Sequence, residues 1–223
     1  MRVLELALFV LALTVAGLVS FALLWSGDAP YRDLARANGV TRFVFVAPSG
    51  GTHQTDLETA VTVHEQWSRY VTGATAEPPR PPLIPDLFSA DEYAHMADVR
   101  RVFEAARFLV PVSALVIFIR LQRARARSPR ELWRLVRDGS LIAAAGVVLL
   151  GAGAVFAFEP LFLAFHYAFF PQGNFLFDPA TSNLIRLYPD WYWEGISLRV
   201  GLSFIALALG LTGAATLRLR AAK

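Results

Sequence analysis

The sequence predicts an all-α membrane protein with four transmembrane helices, an exterior helical segment between helices 1 and 2, and an interfacial segment between helices 3 and 4. Three observations carry this. The 223 residues are 55% hydrophobic and only 17% charged, with a mean hydropathy of +0.45, whereas soluble domains carry roughly 25% charged residues. Three uncharged runs, 6–25, 139–158 and 200–217, are each long enough to cross a bilayer as a helix. Arginines crowd the segment between the second and third apolar runs and recur at the C-terminus, the pattern of cytoplasmic loops.

The first span is expected at about 4–25 and is expected to be retained, because no clear small-x-small cleavage site follows it. The second, at about 102–122, is the least regular. Phe108 to Ile119 is short, contains Pro111 and is flanked by Arg107 and Arg120, so its helix must begin earlier and tolerate Glu104 and Arg107. The third and fourth spans fall at about 139–159 and 197–217. Arg120, Arg123, Arg125, Arg127, Arg130, Arg134 and Arg137, with Arg218, Arg220 and Lys223 in the tail, place both termini in the cytoplasm. A net charge of +3 and a pI near 9.6 then reflect topology, and no nucleic-acid partner is expected. With no cysteine, thiol nucleophiles, disulfides and thiolate metal sites are excluded. No internal repeat is visible, and residues 1–223 read as a single integral membrane domain.

Two exterior segments remain, about 26–101 and 160–196. In the first, TRFVFVAP (Thr41 to Pro48) has strand composition and runs into a Pro-Ser-Gly-Gly turn. A helix should follow, opened by a Thr55–Glu58 capping box, carrying Leu57, Val61, His64, Trp67 and Val71 at helical spacing, and stopped at Gly73. PPRPPLIP (Pro78 to Pro85) reads as a stiff linker. A second capping box, Ser89 with Glu92, starts a helix that can run unbroken into the second span. On it His95 and Asp98, three apart, share a face. In the second segment, Leu161 to Phe170 is too short to cross again and reads as an interfacial or re-entrant piece with His166 at headgroup depth. Asp190 to Glu194 supplies an aromatic belt before the fourth span.

The residues alone leave His166 open between interfacial packing and function. His95 with Asp98, taken alone, reads first as a solvated face. His53 and His64 read as surface residues. Glu159 borders the membrane before Pro160 and is expected in structural support, pairing Arg199 or orienting a histidine. Asp178 lies in a turn-forming stretch where local backbone bonding accounts for it. There is no H-E-x-x-H, no phosphate-cradling glycine loop, and Gly195-x-Ser197 lacks the following glycine of intramembrane serine proteases. No metal or other cofactor is expected.

HMADVR (His95 to Arg100), FHYAFFPQGNFLFDP (Phe165 to Pro179), NLIRLYPDWYW (Asn183 to Trp193) and RYVTG (Arg69 to Gly73) together resemble the signature of the bacterial lipoprotein intramolecular transacylase family. The likeness extends over all four spans and both exterior segments. Phe175 stands where a tryptophan is expected and Asn183 where an acid is expected. The resemblance implies transfer of the sn-2 acyl chain of a diacylglyceryl lipoprotein to the α-amino group of its N-terminal cysteine, giving a lyso-form lipoprotein. It also implies a bacterial cell membrane location with the site on the outer face.

By position the resemblance makes His95 and His166 catalytic. One imidazole, His166 by preference, would take the amine proton and the other would help donate to the departing sn-2 oxygen. Asp98 would fix the His95 tautomer, while Asn174, the Tyr70 hydroxyl or amides near Gly173 would stabilise the oxyanion. Diacylglyceryl lipoproteins and membrane phospholipid are the implied partners. Two other readings stay open: an acyltransferase or hydrolase acting on phospholipid, and a non-catalytic lipid- or lipoprotein-binding membrane protein.

Overall fold

The computed structural model describes residues 3–47, 50–80 and 86–221. Seven helices and one hairpin follow in order: α1 (Val3–Trp25), α2 (Asp28–Ala37), β1 (Arg42–Val46), β2 (Thr52–Asp56), α3 (Leu57–Val71), α4 (Ala90–Arg127), α5 (Pro129–Phe169), α6 (Asn183–Leu187) and α7 (Asp190–Ala221). Four of them, α1, α4, α5 and α7, are long and apolar enough to cross a membrane. The chain divides into two compact units, 1–22 with 106–157 and 198–223, and 23–105 with 158–197.

The first unit is built from the apolar stretches of the four long helices. Its core joins Phe9 and Leu13 to Leu135, Ala143, Ala144 and Val147 and to Phe204, Ala208 and Ala215. Small residues let these helices approach. A Cβ on Gly17 would lie 2.5 Å from Phe204, and one on Gly139 would lie 2.4 Å from Phe9. Apolar side chains also cover the outside, as Leu149 (73% exposed) and Phe156 (90%) show, which suits a lipid solvent. Glu5 is buried and held by a bidentate bond from Arg127, at 3.1 and 2.6 Å, with Arg123 at 3.7 Å. A carboxylate in an apolar run is thereby paired rather than left bare.

The second unit has its own aromatic core, including Tyr31, Phe43, Phe45, Trp67, Phe88, Leu187 and Tyr192. The strand expected within TRFVFVAP forms, but it is half of an antiparallel hairpin in which Phe43 faces Thr55 and Phe45 faces His53. The partner THQTD is entirely polar and carries no apolar alternation, so only pairing reveals it as a strand. Its formation moves the helix start: Asp56, rather than Thr55, caps α3 by accepting from the Thr59 amide at 2.8 Å. Gly73 ends α3 as expected, at φ +78 with its amide on the Tyr70 carbonyl. Pro48 of the expected strand, the Pro-Ser half of the turn after it, and the linker from position 81 to 85 lie outside the described residues.

The Ser89–Glu92 capping box is reciprocal, with Ser89 N–H donating to Glu92 at 2.8 Å and Glu92 N–H donating to Ser89 Oγ at 3.2 Å. From it α4 runs continuously through Pro111. The expected separate piece at 161–170 follows the third span as the last part of α5, set off from it by a bend. The bend comes at Ala157 (φ −146, ψ 47), three residues before Pro160, whose ring displaces the carbonyl one turn earlier. The short helix α2 is amphipathic, burying Tyr31, Leu34 and Ala35 at i, i+3 and i+4, and the five-residue α6 is capped by Ser182 Oγ.

His64 corrects an expectation. It is 2% exposed, not a surface residue, stacked 4.3 Å from Tyr31, with Nδ1 on the Tyr188 hydroxyl at 3.1 Å and Nε2 on the Gly27 carbonyl at 3.2 Å. The carbonyl can only accept, so Nε2 carries the proton and Nδ1 accepts from Tyr188. His64 sits on the apolar stripe of α3 because these two bonds satisfy it there. Burial lowers its pKa from 6.5 to about 4. The unfolded chain therefore binds the proton first as pH falls. Stability is fully present above pH 6.5 and falls as acid approaches pH 4, by about 3 kcal/mol. Melting temperatures measured between pH 7 and pH 4 should fall in wild type, and fall less in a His64→Gln variant. His53 is exposed on β2, as expected.

Asn183 carries a second structural role. Its amide nitrogen donates to the Val46 carbonyl at 2.9 Å and to the Leu87 carbonyl at 2.6 Å, while its oxygen accepts from Val46 N–H at 2.8 Å. It completes the end of β1 as a neighbouring strand would. An acid cannot donate those two bonds. Asn183→Asp should therefore destabilise by about 2–4 kcal/mol, read as a lowered melting temperature above pH 6.

Candidate functional site

Both signature histidines belong to the second unit and lie outside the apolar spans at 102–122 and 139–159. His95 is on the second turn of α4, fixed by the Ser89 cap. His166 is on the last turn of α5, after the Ala157 bend. They are 6% and 8% exposed, and their rings stack at 6.1 Å with 21° between planes. Phe162 (4.1 Å), Phe175 (5.1 Å) and Phe170 (5.5 Å) surround His166. Phe170 (4.9 Å) and Phe177 (5.6 Å) flank His95. Phe175, standing where a larger ring is expected, is buried and packs on both His166 and Tyr167.

This aromatic cage makes both rings hard to charge. Burial lowers the pKa of His95 to about 4, aided by the neighbouring His166, and burial also lowers that of His166. Both are neutral imidazoles near pH 7. His166 Nδ1 lies 2.8 Å from the Phe162 carbonyl, so Nδ1 carries the proton and Nε2 keeps a free lone pair. Asn174 favours the charged form of His95, as an acceptor oxygen facing a ring N–H does, whereas Nδ1 is buried without a partner among the described residues. With Asn174 Oδ1 as the acceptor at Nε2–H, the remaining nitrogen, Nδ1, carries the His95 lone pair.

Asp98 reaches His95 through Asn174 rather than by touching it. Its carboxylate accepts from Asn174 Nδ2 at 2.6 Å and Gln172 Nε2 at 2.5 Å, and pairs with Arg101 at 2.8 Å. Gln172 also donates to Asn174 Oδ1 at 3.2 Å. The turn that follows the Phe170 carbonyl, with Gly173 at φ +77, brings the two amides back over α4. Three-residue spacing on α4 put Asp98 and His95 on one face; the missing link was a side chain seventy-six positions further on. Gln172 and Arg101 were not singled out in the sequence, and the only signal for the former was its place in the Pro-Gln-Gly-Asn break.

The other expected residues lie elsewhere. Tyr70 packs edge-on to Trp67 at 5.9 Å and under the Arg100 guanidinium at 4.9 Å; among the described residues no hydrogen bond or ring contact joins it to either histidine. Arg100 donates to the Tyr70 and Thr75 carbonyls, at 3.2 and 2.6 Å, holding the turn after α3. Asp178 accepts from Ala180 N–H at 2.8 Å, and its carbonyl accepts from Ser182 N–H, the local bonding expected of it. Glu159 is exposed on α5 and Arg199 half-buried on α7. No group of three His, Asp or Glu capable of holding a metal occurs among the described residues.

Fold and site thus define a multi-pass helical membrane protein carrying a pair of desolvated, neutral imidazoles in an aromatic cage. The chain belongs to the lipoprotein intramolecular transacylase (Lit) family, whose model matches residues 1–193. The in meso structure of the membrane-integral Lit from Bacillus cereus superposes with a TM-score of 0.75 at 12% identity, covering 97% of this chain and 95% of that one. Two variants of the same protein, in which one histidine is replaced by arginine or by alanine, each superpose with a TM-score of 0.69 at 11% identity. They cover 97% of this chain and 91% and 93% of theirs. A comparison with curated protein sequences gives no match.

Proposed function

We propose that this protein moves the sn-2 acyl chain of a diacylglyceryl lipoprotein to the α-amino group of the lipoprotein's N-terminal cysteine, leaving a lyso-form lipoprotein. The observation that carries the reading is the stacked, neutral His95–His166 pair with an unprotonated nitrogen on each ring. Nucleophile and ester share one substrate molecule, so the enzyme must supply proton transfer and orientation rather than a nucleophile of its own.

His166 Nε2 takes the proton released when the amine adds to the ester carbonyl. The new C–N bond forms as the carbonyl oxygen becomes an oxyanion. Collapse breaks the bond to the sn-2 oxygen, which needs one proton to leave as an alcohol. The proton on His166 Nε2 passes to His95 Nδ1 and from there to the departing oxygen, so both rings end neutral, and Asp98, acting through Asn174, stabilises the transient His95 imidazolium. An imidazolium whose pKa is lowered to about 4 is a strong donor to a departing alkoxide. Asn174 Nδ2 is committed to Asp98 on one side, so oxyanion stabilisation falls to its second N–H and to amides around Gly173.

The positive-inside pattern of Arg120 to Arg137 supports cytoplasmic termini in the bacterial inner membrane, with the site on the outer face. Diacylated lipoproteins are the substrates, within a phospholipid surround.

Tandem mass spectrometry of lipoprotein N-termini, from a host without N-acylation expressing this chain, tests the reading. An N-acyl, sn-2-deacylated cysteine is the expected product. Unchanged lipoprotein with altered phospholipid would move the reaction to phospholipid, and no change in either would leave a binding protein.

A further inference from the structure

Within the first unit, Arg130, Arg134 and Arg137 of α5 and Thr216, Leu219 and Arg220 of α7 line a half-open cavity of about 360 Å³. Spacings of four and three put the α5 arginines on one helix face. Membrane sorting counts basic residues near a span; it does not require side chains from two helices to converge on one cavity. Convergence brings like charges together and raises their repulsion. Glu131 answers Arg134 at 3.4 Å, and Asp138 answers Arg137 at 2.7 Å. Arg130 and Arg220 have no carboxylate partner among the described residues, so two positive charges at the cavity are uncompensated. The α5 helix begins at Pro129, and the positive end of its dipole adds to the same field.

We propose that this cavity binds the phosphate of an anionic phospholipid, with Arg130 and Arg220 as its principal ligands and Arg134 and Arg137 at its flanks. Adjoining apolar surface favours a lipid over a soluble phosphate. Leu217, next to Thr216, is 67% exposed, and Leu141, one turn beyond Arg137, is 50% exposed. A phosphate held by the arginines therefore has apolar helix beside it along which acyl chains can lie. The site shares no residue with the histidine pair, and its test does not depend on the acyl-transfer reading.

The full chain is reconstituted in phosphatidylcholine nanodiscs doped with phosphatidylglycerol, and the phosphatidylglycerol retained after detergent stripping is counted by native mass spectrometry. Arg130→Gln with Arg220→Gln should reduce retention about tenfold or more. Arg125→Gln with Arg218→Gln removes the same charge from residues outside the cavity and should leave retention near wild type. Equal losses in the two pairs would overturn the site, since charge number alone would then explain them. Displacement of phosphatidylglycerol by millimolar inorganic phosphate would overturn the lipid assignment in favour of a soluble anion. Arg220→Gln alone, on the exposed last turn of α7, keeps the test decisive if the double variant does not fold; unchanged retention in it would also count against the site.

Discussion

His166→Asn should abolish formation of N-acylated lipoprotein, with a fall in rate of about 10²- to 10⁴-fold, the usual worth of a positioned general base. Asparagine keeps a donor towards the Phe162 carbonyl and much of the ring's volume, yet cannot take up a proton. It therefore separates proton transfer from packing in a way that alanine, which would empty the space between Phe162, Phe170 and Phe175, does not. The assay is a time course of the N-terminal lipopeptide by tandem mass spectrometry on purified protein with a diacylated substrate, alongside a thermal melt. A folded His166→Asn protein that turns over at the wild-type rate would remove His166 from the mechanism. Asp98→Asn should give a smaller loss, because it acts on His95 through Asn174 and by its charge without touching the ring.

Glu92→Ala should give the largest loss of stability. Glu92 is 2% exposed and accepts from Ser89 N–H at 2.8 Å and from Ser182 Oγ and Leu184 N–H at 2.6 Å each. It ties the start of α4 to the start of α6, and its removal leaves buried donors without partners. Each such orphan costs about 1–3 kcal/mol. A total of roughly 3 kcal/mol or more is expected, lowering the melting temperature by about 6–12 °C. Ser89→Ala, which removes only the cap to Glu92 N–H, should cost about 1 kcal/mol. If the two variants melt together, the bonds from Ser182 and Leu184 contribute nothing.

These two residues mark how far the sequence could be read. Glu92 was legible as half of a capping box because that motif is local, three residues of helix closing on themselves. Its bonds to Ser182 and Leu184 were not legible, because nothing in either segment encodes the other. The same division runs through the site. The aromatic block around His166 and the face shared by His95 and Asp98 could be read from spacing. The Asn174 and Gln172 bridge, and Tyr70's absence from the histidine cluster, could not.

His64 shows the division at one residue. Its place in the apolar period of α3 was visible, but polarity argued for the surface, and only Tyr188 and Gly27 arriving from distant parts of the chain make its burial affordable. Likewise β2 has no pattern of its own, since an all-polar strand is defined by the backbone bonds of its neighbour. By itself the sequence determined the four membrane helices, their charge asymmetry and the continuous α4, because bilayer thickness and helical period act on consecutive residues. The tertiary structure alone decided which polar groups are buried, which are satisfied, and that His95 and His166 stack as neutral rings, because desolvation and hydrogen bonding depend on groups that only folding brings together.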